Sequence, residues 1–327
     1  MTIRATRASL PWLSRAVYAA ALASSVTLFM AVRTCAEEIA VVDATGRRIT
    51  IAGSSRIVSI GGATTEILYA LGVEDRVVAV DSTSVYPKRA LAEKPNVGYM
   101  RRLSPEGVLS RSPTLILATE GAGPKDAVAV LEAARVTFVQ IPDHSTPEGV
   151  IEKINLIAEA TGRREQGRCL AAATQADFDA LAAQRSRTAK PLRVLYVLSF
   201  VNGRPMVAGT DTAADNAIAL AGAVNAISGV NGYKPVNDEA VIAAKPDVVV
   251  AMERPQQMYA AETVFANPAF AMTLAASHKR FLSMDGQYLL SFGPRTARAV
   301  RDLATYLYPE MASGPLPSES GSDGPCL

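Results

Sequence analysis

The stretch "RIVSIGGATTEILYALGVEDRVVAV" (56–80) contains the pattern of a strand, a helix and a second strand. The β-branched runs "RIVSI" (56–60) and "RVVAV" (76–80) predict buried strands. Between them, "TTEILYALG" (64–72) has the apolar spacing of a helix and ends on a glycine. Two strands joined by a helix are typical of a parallel βαβ unit. The stretch therefore predicts an α/β fold.

The same alternation continues in two separate regions of the chain. The first includes the strand "TLILA" (114–118), and the second runs from "PLRVLYVLSF" (191–200) through "DVVVAM" (247–252). Between them, 147–187 has helical periodicity and no convincing strand, with one interruption at Thr161-Gly162. Because Gly and Pro are nearly absent there, we expect a rigid connector rather than a flexible linker.

These patterns predict two βαβ lobes with mostly parallel sheets, joined by a long rigid connector helix. We place the N-terminal lobe at 37–146, the connector at 147–188 and the C-terminal lobe at 189–311. The last segment, 312–327, is a polar low-complexity sequence, and we expect it to be a disordered tail.

The N-terminus has the features of an export signal. A basic start precedes the uncharged run "AVYAAALASSVTLFMAV" (16–32), and small residues follow it. We therefore predict a signal peptide at 1–36, cleaved after Ala36. One alternative is an uncleaved membrane anchor, for which the 17-residue run is short. The other is a lipid anchor on Cys35, which the preceding Arg33 and Thr34 disfavour.

Removal of this segment changes the formal charge of the chain from +2 to −2, because the segment contains four arginines and no acid. Nothing strongly basic remains to suggest a nucleic-acid ligand. The other cysteines, Cys169 and Cys326, are far apart, so we expect neither a disulfide framework nor a zinc knuckle. The composition predicts an exported, soluble protein that does not depend on disulfides.

The motifs of common enzymes are absent from the sequence. The chain has no GxxxxGK[ST] phosphate loop and no GxSxG nucleophile motif. Its two histidines, His144 and His278, are far apart and cannot form a histidine-rich metal site. We interpret His144 as structural and His278 as a surface residue. These absences favour binding without catalysis.

The segment "NVGYMRRLSPEGVLSRSPTLIL" (96–117) carries the candidate ligand group. The phenol of Tyr99 is a hard oxygen donor that suits ferric iron. Arg101, two residues later, would face the same way in an extended loop and favour the phenolate. Arg102 is suited to a ligand carboxylate. From spacing alone, an ordinary amphipathic surface group remains the alternative.

A second feature of this segment is repeated later in the chain. Glu106 lies seven residues before a proline that opens a strand, and Glu239 in "NDEAVIAAKPDVVV" has the same spacing. The matching helix-then-strand context suggests two lobes of related plan. The alternative is coincidence, since this spacing alone is common. As acids near a helix N-terminus, both glutamates would also be favoured by the helix dipole.

The chain resembles the periplasmic haem-binding proteins of bacterial haem ABC importers, within the family of iron-siderophore and cobalamin binding proteins. The resemblance covers about 38–309. Its motifs are "RIVSIGGATTEILYALG", "NVGYMRRLSPEGVLSRSPTLILATEGAGP", "PMVAGTDTAADNAIALAGAVNA" and "YLLSFGPRTARA". It implies a class III periplasmic binding protein, with Tyr99 as the axial ligand of haem b iron and Arg101 as the partner of the phenolate or of a propionate. It also implies that Glu106 and Glu239 dock on the permease.

Arg254 follows a predicted strand, and we expect it to reach a haem propionate from the second lobe, because open α/β sheets bind ligands beyond the carboxyl ends of their strands. Met206 and Met252 are assigned to the core and not to the iron. With no histidine assigned to the iron, we expect five-coordinate iron through Tyr99.

The sequence thus predicts a non-enzymatic periplasmic carrier that captures haem between its lobes. It would deliver haem to an inner-membrane ABC permease with its ATPase, downstream of an outer-membrane haem receptor system. The helical connector predicts small lobe movements. The alternatives are a carrier of a ferric siderophore or cobalamin, a periplasmic haem-degrading or haem-transferring enzyme, and a zinc or manganese carrier.

Overall fold

A computed structural model describes residues 39–185, 190–254, 258–311, 314–319 and Cys326. The predicted signal peptide lies outside these residues, as does the last part of the predicted connector. The strands in the described part are β1 (Ala40–Val42), β2 (Arg48–Thr50), β3 (Ile57–Ile60), β4 (Val77–Val80), β5 (Leu115–Thr119), β6 (Thr137–Ile141), β7 (Arg193–Val201), β8 (Arg204–Ala208), β9 (Val224–Asn225), β10 (Tyr233–Pro235), β11 (Val248–Glu253) and β12 (Phe281–Asp285).

Helices alternate with these strands, and several are short. They are α1 (Gly62–Ala70), α2 (Arg89–Glu93), α3 (Pro105–Leu109), α4 (Lys125–Ala133), α5 (Pro147–Ala160), α6 (Arg164–Arg185), α7 (Ala213–Leu220), α8 (Asp238–Ala244), α9 (Ala261–Phe265), α10 (Pro268–Ala271), α11 (Leu274–Ser277), α12 (Gly286–Leu290) and α13 (Thr296–Leu307). Short 3-10 helices occur at Glu74–Arg76, Pro309–Met311 and Pro317–Glu319.

Four parallel strands form the N-lobe sheet, in the order β4-β3-β5-β6. All residues of β3 and β5 are buried, which accounts for their apolar sequences, since parallel sheets are covered on both faces. The β1–β2 hairpin lies beside β6, where the Ala44 amide donates to the Gln140 carbonyl at 2.9 Å. The parallel α/β arrangement predicted from 56–80 is confirmed.

The C-lobe sheet is mixed. Its strand order is β10-β8-β7-β11-β12, and the short strand β9 also pairs with β7. The pairs β7–β11, β11–β12 and β7–β9 are parallel, whereas β8 and β10 are antiparallel to their neighbours. The reversal occurs at Asn202 and Gly203, with φ of 51° and 77°, the backbone of a tight hairpin turn. The Asn-Gly pair explains why this part of the sheet is not parallel.

Two packed helices form the connector between the sheets. Gly162, with φ of 69°, allows the chain to turn between α5 and α6. Val150 and Ile154 on α5 are fully buried. Gly167 on α6 approaches Ala158 on α5 so closely that a side chain at Gly167 would have no space. The connector is therefore a packed helix pair, in which α6 has 22 residues. The predicted lobe boundaries stay predictions.

One buried apolar cluster extends through both lobes. It contains Leu115 and Val139 from the N-lobe sheet, Val194 and Val250 from the C-lobe sheet, and Phe178 from α6. Each such side chain contributes about 1.5–3 kcal/mol on full burial. A wide separation of the lobes would expose part of this cluster to water, so the shared core supports the expectation of small lobe movements.

Within the predicted tail, 312–327, the described residues 314–319 are packed against the rest of the chain. They contact the C-terminal lobe and the connector, and Leu316 is 1% exposed. The Glu319 carboxylate forms ion pairs with Arg298, at 2.8 Å, and with Arg301. The Ser318 amide donates to the Asp177 carboxylate on α6 at 2.9 Å. One buried leucine and one paired carboxylate are enough to order an otherwise polar segment.

A disulfide between Cys169 and Cys326 also corrects the sequence interpretation. Distance along the sequence suggested that these cysteines do not pair. Their Cα atoms are 5.5 Å apart, which is within the usual range for a disulfide. Ser318, near the same end of the chain, is hydrogen-bonded to Asp177 on α6. The bond links residues that are 157 positions apart in the sequence. It therefore lowers the conformational entropy of the unfolded chain.

We expect Cys326→Ser to lower the free energy of unfolding of the mature chain by about 2–4 kcal/mol, because it removes this restriction on the unfolded state. Urea unfolding, with and without reductant, measures the effect. The reductant should destabilise the wild type but leave Cys326→Ser unchanged. Two free thiols in the non-reduced wild type would contradict the pairing.

Candidate functional site

The Tyr99 segment lies at the carboxyl edge of the N-lobe sheet. The Ser82 amide, after β4, donates to the Gly98 carbonyl at 2.8 Å. The Leu103 amide donates to the carbonyl of Gly123, after β5, at 2.8 Å. These bonds fix both ends of the segment to loops that follow parallel strands. Ligands of open α/β sheets bind at this edge.

Tyr99 is held by a tight turn. The Arg102 amide donates to the Tyr99 carbonyl at 2.7 Å. The preceding residue, Gly98, has φ of 97°, a backbone conformation that residues with a side chain rarely adopt. The Gly98 amide donates to Asn96 Oδ1 at 2.8 Å. The Tyr99 side chain is 46% exposed. A constrained backbone therefore presents an accessible phenol.

This turn corrects the expected relation between Tyr99 and Arg101. An extended segment would have placed their side chains on the same side. The hydrogen bond from Arg102 to Tyr99 instead closes a turn, so the alternation of an extended chain does not apply. Arg101 and Arg102 are exposed, and neither forms an ion pair within the described ranges.

Arg101 acts on a residue of the C-terminal lobe. Burial raises the pKa of Tyr233 on β10, while its hydrogen bonds and the positive charge of Arg101 oppose that rise. The Ala214 amide donates to the Tyr233 hydroxyl at 3.4 Å. The charge of an N-lobe turn thus reaches a C-lobe tyrosine. We call the space between the Tyr99–Arg102 turn and Tyr233 the interlobe cleft.

Arg254 lies on the second lobe, directly after β11, and is exposed. Burial strongly raises the pKa of Tyr196 on β7, and the charge of Arg254 opposes this rise. Arg254 is therefore near the carboxyl end of the C-lobe sheet. The fold brings Tyr99, Arg101 and Arg102 together in one turn and places Arg254 at the carboxyl edge of the other lobe.

A buried ion pair joins the lobes. Arg295, immediately before α13, places Nη2 3.1 Å from Glu66 Oε2, and its backbone amide donates to Glu66 Oε1 at 3.1 Å. The Glu66 side chain is 6% exposed. Desolvation raises the pKa of Glu66, and Arg295 opposes this rise. Glu66 lies near the start of α1, which begins directly after the carboxyl end of β3. The ion pair is therefore at the same edge of the N-lobe sheet as the Tyr99 turn.

Two tyrosines contact the Arg295 guanidinium. Its Cζ atom lies 3.2 Å from the ring centre of Tyr86 and 5.1 Å from that of Tyr288. The Tyr288 hydroxyl donates to Asp302 Oδ2 at 2.9 Å. Tyr86, from the loop after β4, remains 42% exposed. Arg295 is thus held by one carboxylate and two aromatic rings.

A third contact between the lobes involves Lys153 on α5. Its fully buried ammonium lies 2.9 Å from Asp143 Oδ1 and donates to the Phe292 carbonyl at 3.3 Å. Phe292 is buried and has φ of 46°, which is uncommon for a residue with a side chain. The C-lobe segment 292–295 is therefore held at both ends, by the connector at Phe292 and by the N-terminal lobe at Arg295.

Glu106 and Glu239 occupy equivalent positions in the two lobes. Each is exposed, lies in the first turn of a short helix (α3 or α8), and has no ion-pair partner among the described residues. Each helix is followed by a residue with positive φ, Ser112 at 48° and Lys245 at 45°. A proline and a central strand come next, β5 or β11.

The helix cap alone does not distinguish these glutamates. Ser104 Oγ caps α3 and Asn237 Oδ1 caps α8. Thr146 Oγ1 caps α5 in the same way, and Glu148 occupies the matching exposed position in "TPEGV". Of these three glutamates, only Glu106 and Glu239 lie on a short helix that is followed by a residue with positive φ, a proline and a central strand. Glu148 is therefore a natural control for a role beyond capping.

The histidines lie in different surroundings. His144 is exposed and its Nδ1 is 3.2 Å from Glu152 Oε2. His278 is exposed at the end of α11, before β12 begins, which is the edge opposite to the cleft. In the part of the chain that the structure describes, no three His, Cys, Asp or Glu side chains are grouped to hold a metal ion.

A surface cavity of about 430 Å³ lies away from these residues. Its lining includes Arg47, Arg48, Glu132 and Arg135 at the amino end of β6. Arg47 is paired with Asp43 and Glu132. The cavity contains none of the predicted site residues, and we assign it no part in the cleft.

The family model of periplasmic binding proteins matches residues 57–288, most of the chain. The chain belongs to the periplasmic binding protein family. The two-lobe α/β fold predicted from the sequence is confirmed by this match and by solved structures of the same class. No helix within the described ranges is both long and apolar enough to cross a membrane.

Solved structures of similar periplasmic binding proteins extend the comparison. The apo heme-binding protein RhuT from Roseiflexus sp. RS-1 has a TM-score of 0.75 and 38% identity, covering 80% of this chain and 100% of that one. The heme-binding protein BhuT, in complex with two hemes, has a TM-score of 0.75 and 39% identity, with the same coverage.

Curated relatives are more distant. The uncharacterized ABC transporter substrate-binding lipoprotein YvrC of Bacillus subtilis (strain 168) is 28% identical over 273 residues, covering 82% of this chain and 85% of the relative. Vitamin B12-binding proteins of Vibrio species are 26% and 27% identical over shorter spans.

Sequence reasoning missed several residues of this periplasmic binding protein's interlobe contact. Glu66, Tyr86, Tyr233 and Arg295 were not singled out. A signal existed for one of them, because Glu66 is a lone carboxylate inside the apolar run of α1. Nothing local indicated that its partner stands 229 positions later.

We expect Glu66→Ala to lower the free energy of unfolding by about 3 kcal/mol, because it leaves the largely buried Arg295 guanidinium, 20% exposed, without its counter-ion. Urea unfolding gives this value. The matched control is Glu74→Ala, which removes an ion pair of similar length, 2.8 Å, with the exposed Arg89 and should cost at most about 1 kcal/mol. Equal losses in the two variants would contradict the importance of the interlobe pair.

Proposed function

We propose that this periplasmic binding protein carries haem b to an inner-membrane ABC permease and holds its iron through Tyr99. The observation that carries the proposal is an accessible phenol on a constrained turn at the carboxyl edge of the N-lobe sheet. A phenolate is a strong ligand for ferric haem iron, and tyrosine holds haem in other proteins. Because the turn fixes the backbone, only the side-chain torsions of Tyr99 remain to be ordered when the phenol coordinates iron.

The arginines supply the complementary charge. Haem carries two propionates, and a guanidinium binds a carboxylate with paired hydrogen bonds. Arg101 and Arg102 lie in the same turn as Tyr99, and Arg254 stands at the carboxyl edge of the other lobe. We assign Arg101 to the phenolate or a propionate, and Arg102 and Arg254 to propionates.

The similarity to haem-binding proteins supports this assignment. RhuT and BhuT resemble the chain over 80% of its length, at 38% and 39% identity. In the BhuT structure the protein is in complex with two hemes. The number of haem molecules bound by this chain is therefore a quantity to measure together with affinity.

Cobalamin is the second candidate ligand. Vitamin B12-binding proteins of Vibrio are similar to this chain, although at 26% and 27% identity. A ferric siderophore is a further alternative within the same family. Haem is favoured over both because coordination by Tyr99 and charge pairing by the arginines match its iron and its propionates.

The same proposal covers location and partners. We infer that residues 1–36 direct export and that the mature protein works in the periplasm, as members of its family do by name. It would receive haem that an outer-membrane receptor system has imported. We propose a role in transport and not in catalysis, because no acid or base positioned for haem chemistry is assigned in the cleft.

We propose that Glu106 and Glu239 dock on basic pockets of the permease, which works with its ATPase. Both carboxylates are exposed and lack ion-pair partners among the described residues, so docking would break no internal contact. Their equivalent positions in two related units suit a permease with two similar halves.

We expect the wild type to bind hemin with a Soret band typical of a coordinated ferric haem. Tyr99→Phe keeps the ring and removes only the coordinating oxygen, so it should weaken binding more than about tenfold and change that band. Titration followed by absorption spectroscopy measures both. Cyanocobalamin and a ferric siderophore serve as competing ligands. An unchanged spectrum and affinity in Tyr99→Phe would show that another group holds the iron.

For docking, we expect the Glu106→Ala/Glu239→Ala double variant to bind haem normally but to stimulate the transporter's ATPase and haem uptake much less than the wild type. The reason is the loss of both anionic contacts with the permease. The measurement uses the permease and ATPase reconstituted in proteoliposomes. Glu148→Ala, which removes an acid from the same capping sequence, should behave as wild type. Full transport by the double variant would rule out docking through these residues.

A further inference from the structure

Tyr86 is a large aromatic side chain that the proposed site does not use. It remains 42% exposed, and in the described part of the chain only Tyr99 is a more exposed tyrosine. Tyr86 belongs to the loop that follows β4 at the carboxyl edge of the N-lobe sheet. In the same loop, Ser82 donates to Gly98 and thereby joins this loop to the Tyr99 turn.

The position of the Tyr86 ring is fixed by the other lobe. Arg295 stacks on the ring, with Cζ 3.2 Å from its centre. Arg295 is in turn held by Glu66 through its guanidinium and its backbone amide, each at 3.1 Å. The contact places Tyr86 where the two lobes meet. Arg295 covers one face of the ring, and the residue as a whole remains 42% exposed.

We propose that Tyr86 is a second contact for the ligand, a flat aromatic surface on which the porphyrin plane packs. The inference rests on haem being the cargo and extends that proposal from the iron and the propionates to the apolar faces of the macrocycle. Glu66 and Arg295 act as positioning residues, because they orient the Tyr86 ring and do not touch the ligand.

Physical chemistry favours this use of the ring. A porphyrin is a large planar apolar surface, and offset stacking on an aromatic ring removes both surfaces from water. A ring already held against a guanidinium loses little conformational freedom when the ligand arrives. A tyrosine that served only the lobe contact would gain most from full burial, yet Tyr86 keeps a substantial exposed area.

The test compares hemin with metal-free protoporphyrin IX, which has the same plane and propionates but no iron. We expect Tyr86→Leu to weaken binding of both about three- to tenfold, because it keeps apolar bulk but loses the flat ring. Tyr86→Phe should restore wild-type affinity. Val130→Ala, which trims an exposed apolar side chain on α4 of the same lobe, should change neither affinity. In the Tyr86→Leu background, Arg295→Lys, which keeps a positive charge beside Glu66, should cause no additional loss of protoporphyrin affinity.

The outcomes separate this inference from the proposed function. Wild-type affinity for both ligands in Tyr86→Leu would overturn the role of Tyr86, while a hemin spectrum sensitive to Tyr99→Phe would leave the haem assignment intact. If the wild type bound neither hemin nor protoporphyrin IX, both proposals would fail. Tyr99→Phe should weaken hemin binding and leave protoporphyrin binding nearly unchanged, since the phenol acts on the iron alone.

Discussion

The ion pair between Glu66 and Arg295 is the constraint on which the arrangement of the lobes depends. Each charge is largely removed from water, and neither is stable there without the other. The α1 helix and the segment before α13 must therefore meet. Their meeting brings the carboxyl edges of the two sheets together, and it also fixes the Tyr86 ring. The buried Lys153, bonded to Asp143 and Phe292, strengthens the same contact from the connector side.

The shared apolar core makes this junction stiff. Residues of both sheets and of the helix pair α5–α6 belong to one buried cluster, so a large hinge opening would expose apolar surface as well as break buried ion pairs. Between the Tyr99–Arg102 turn and Tyr233 there is no such ion pair among the described residues. Movement of the lobes is consequently expected to be small and greatest there. Ligand binding by such a protein would rely on side chains that are already in position, and not on closure of the two lobes around the ligand.

The sequence predicted the parts of the fold that local pattern controls. The βαβ stretch 56–80, the strand-free connector and the equivalence of the Glu106 and Glu239 units all follow from periodicity and turn residues. Contacts between distant segments were not predictable in this way. The Glu66–Arg295 pair and the Cys169–Cys326 bond each join positions more than 150 residues apart, and no local rule connects them. The expected geometry of Tyr99 and Arg101 failed for a local reason, since Gly98 leads into a turn.

The segment 96–117 combines two kinds of surface within one short stretch, and the fold explains why they do not interfere. The turn at Tyr99 ends at Leu103, which is 5% exposed and anchors the chain in the N-lobe core. Ser104 then caps α3 and starts a helix in a new direction, with Glu106 in its first turn. A buried residue between two exposed ones therefore separates Tyr99, the proposed iron ligand, from Glu106, the proposed docking residue. Under the proposed roles, the same separation would keep the phenol accessible while Glu106 docks on the permease, which is what a protein that must both hold a ligand and deliver it requires.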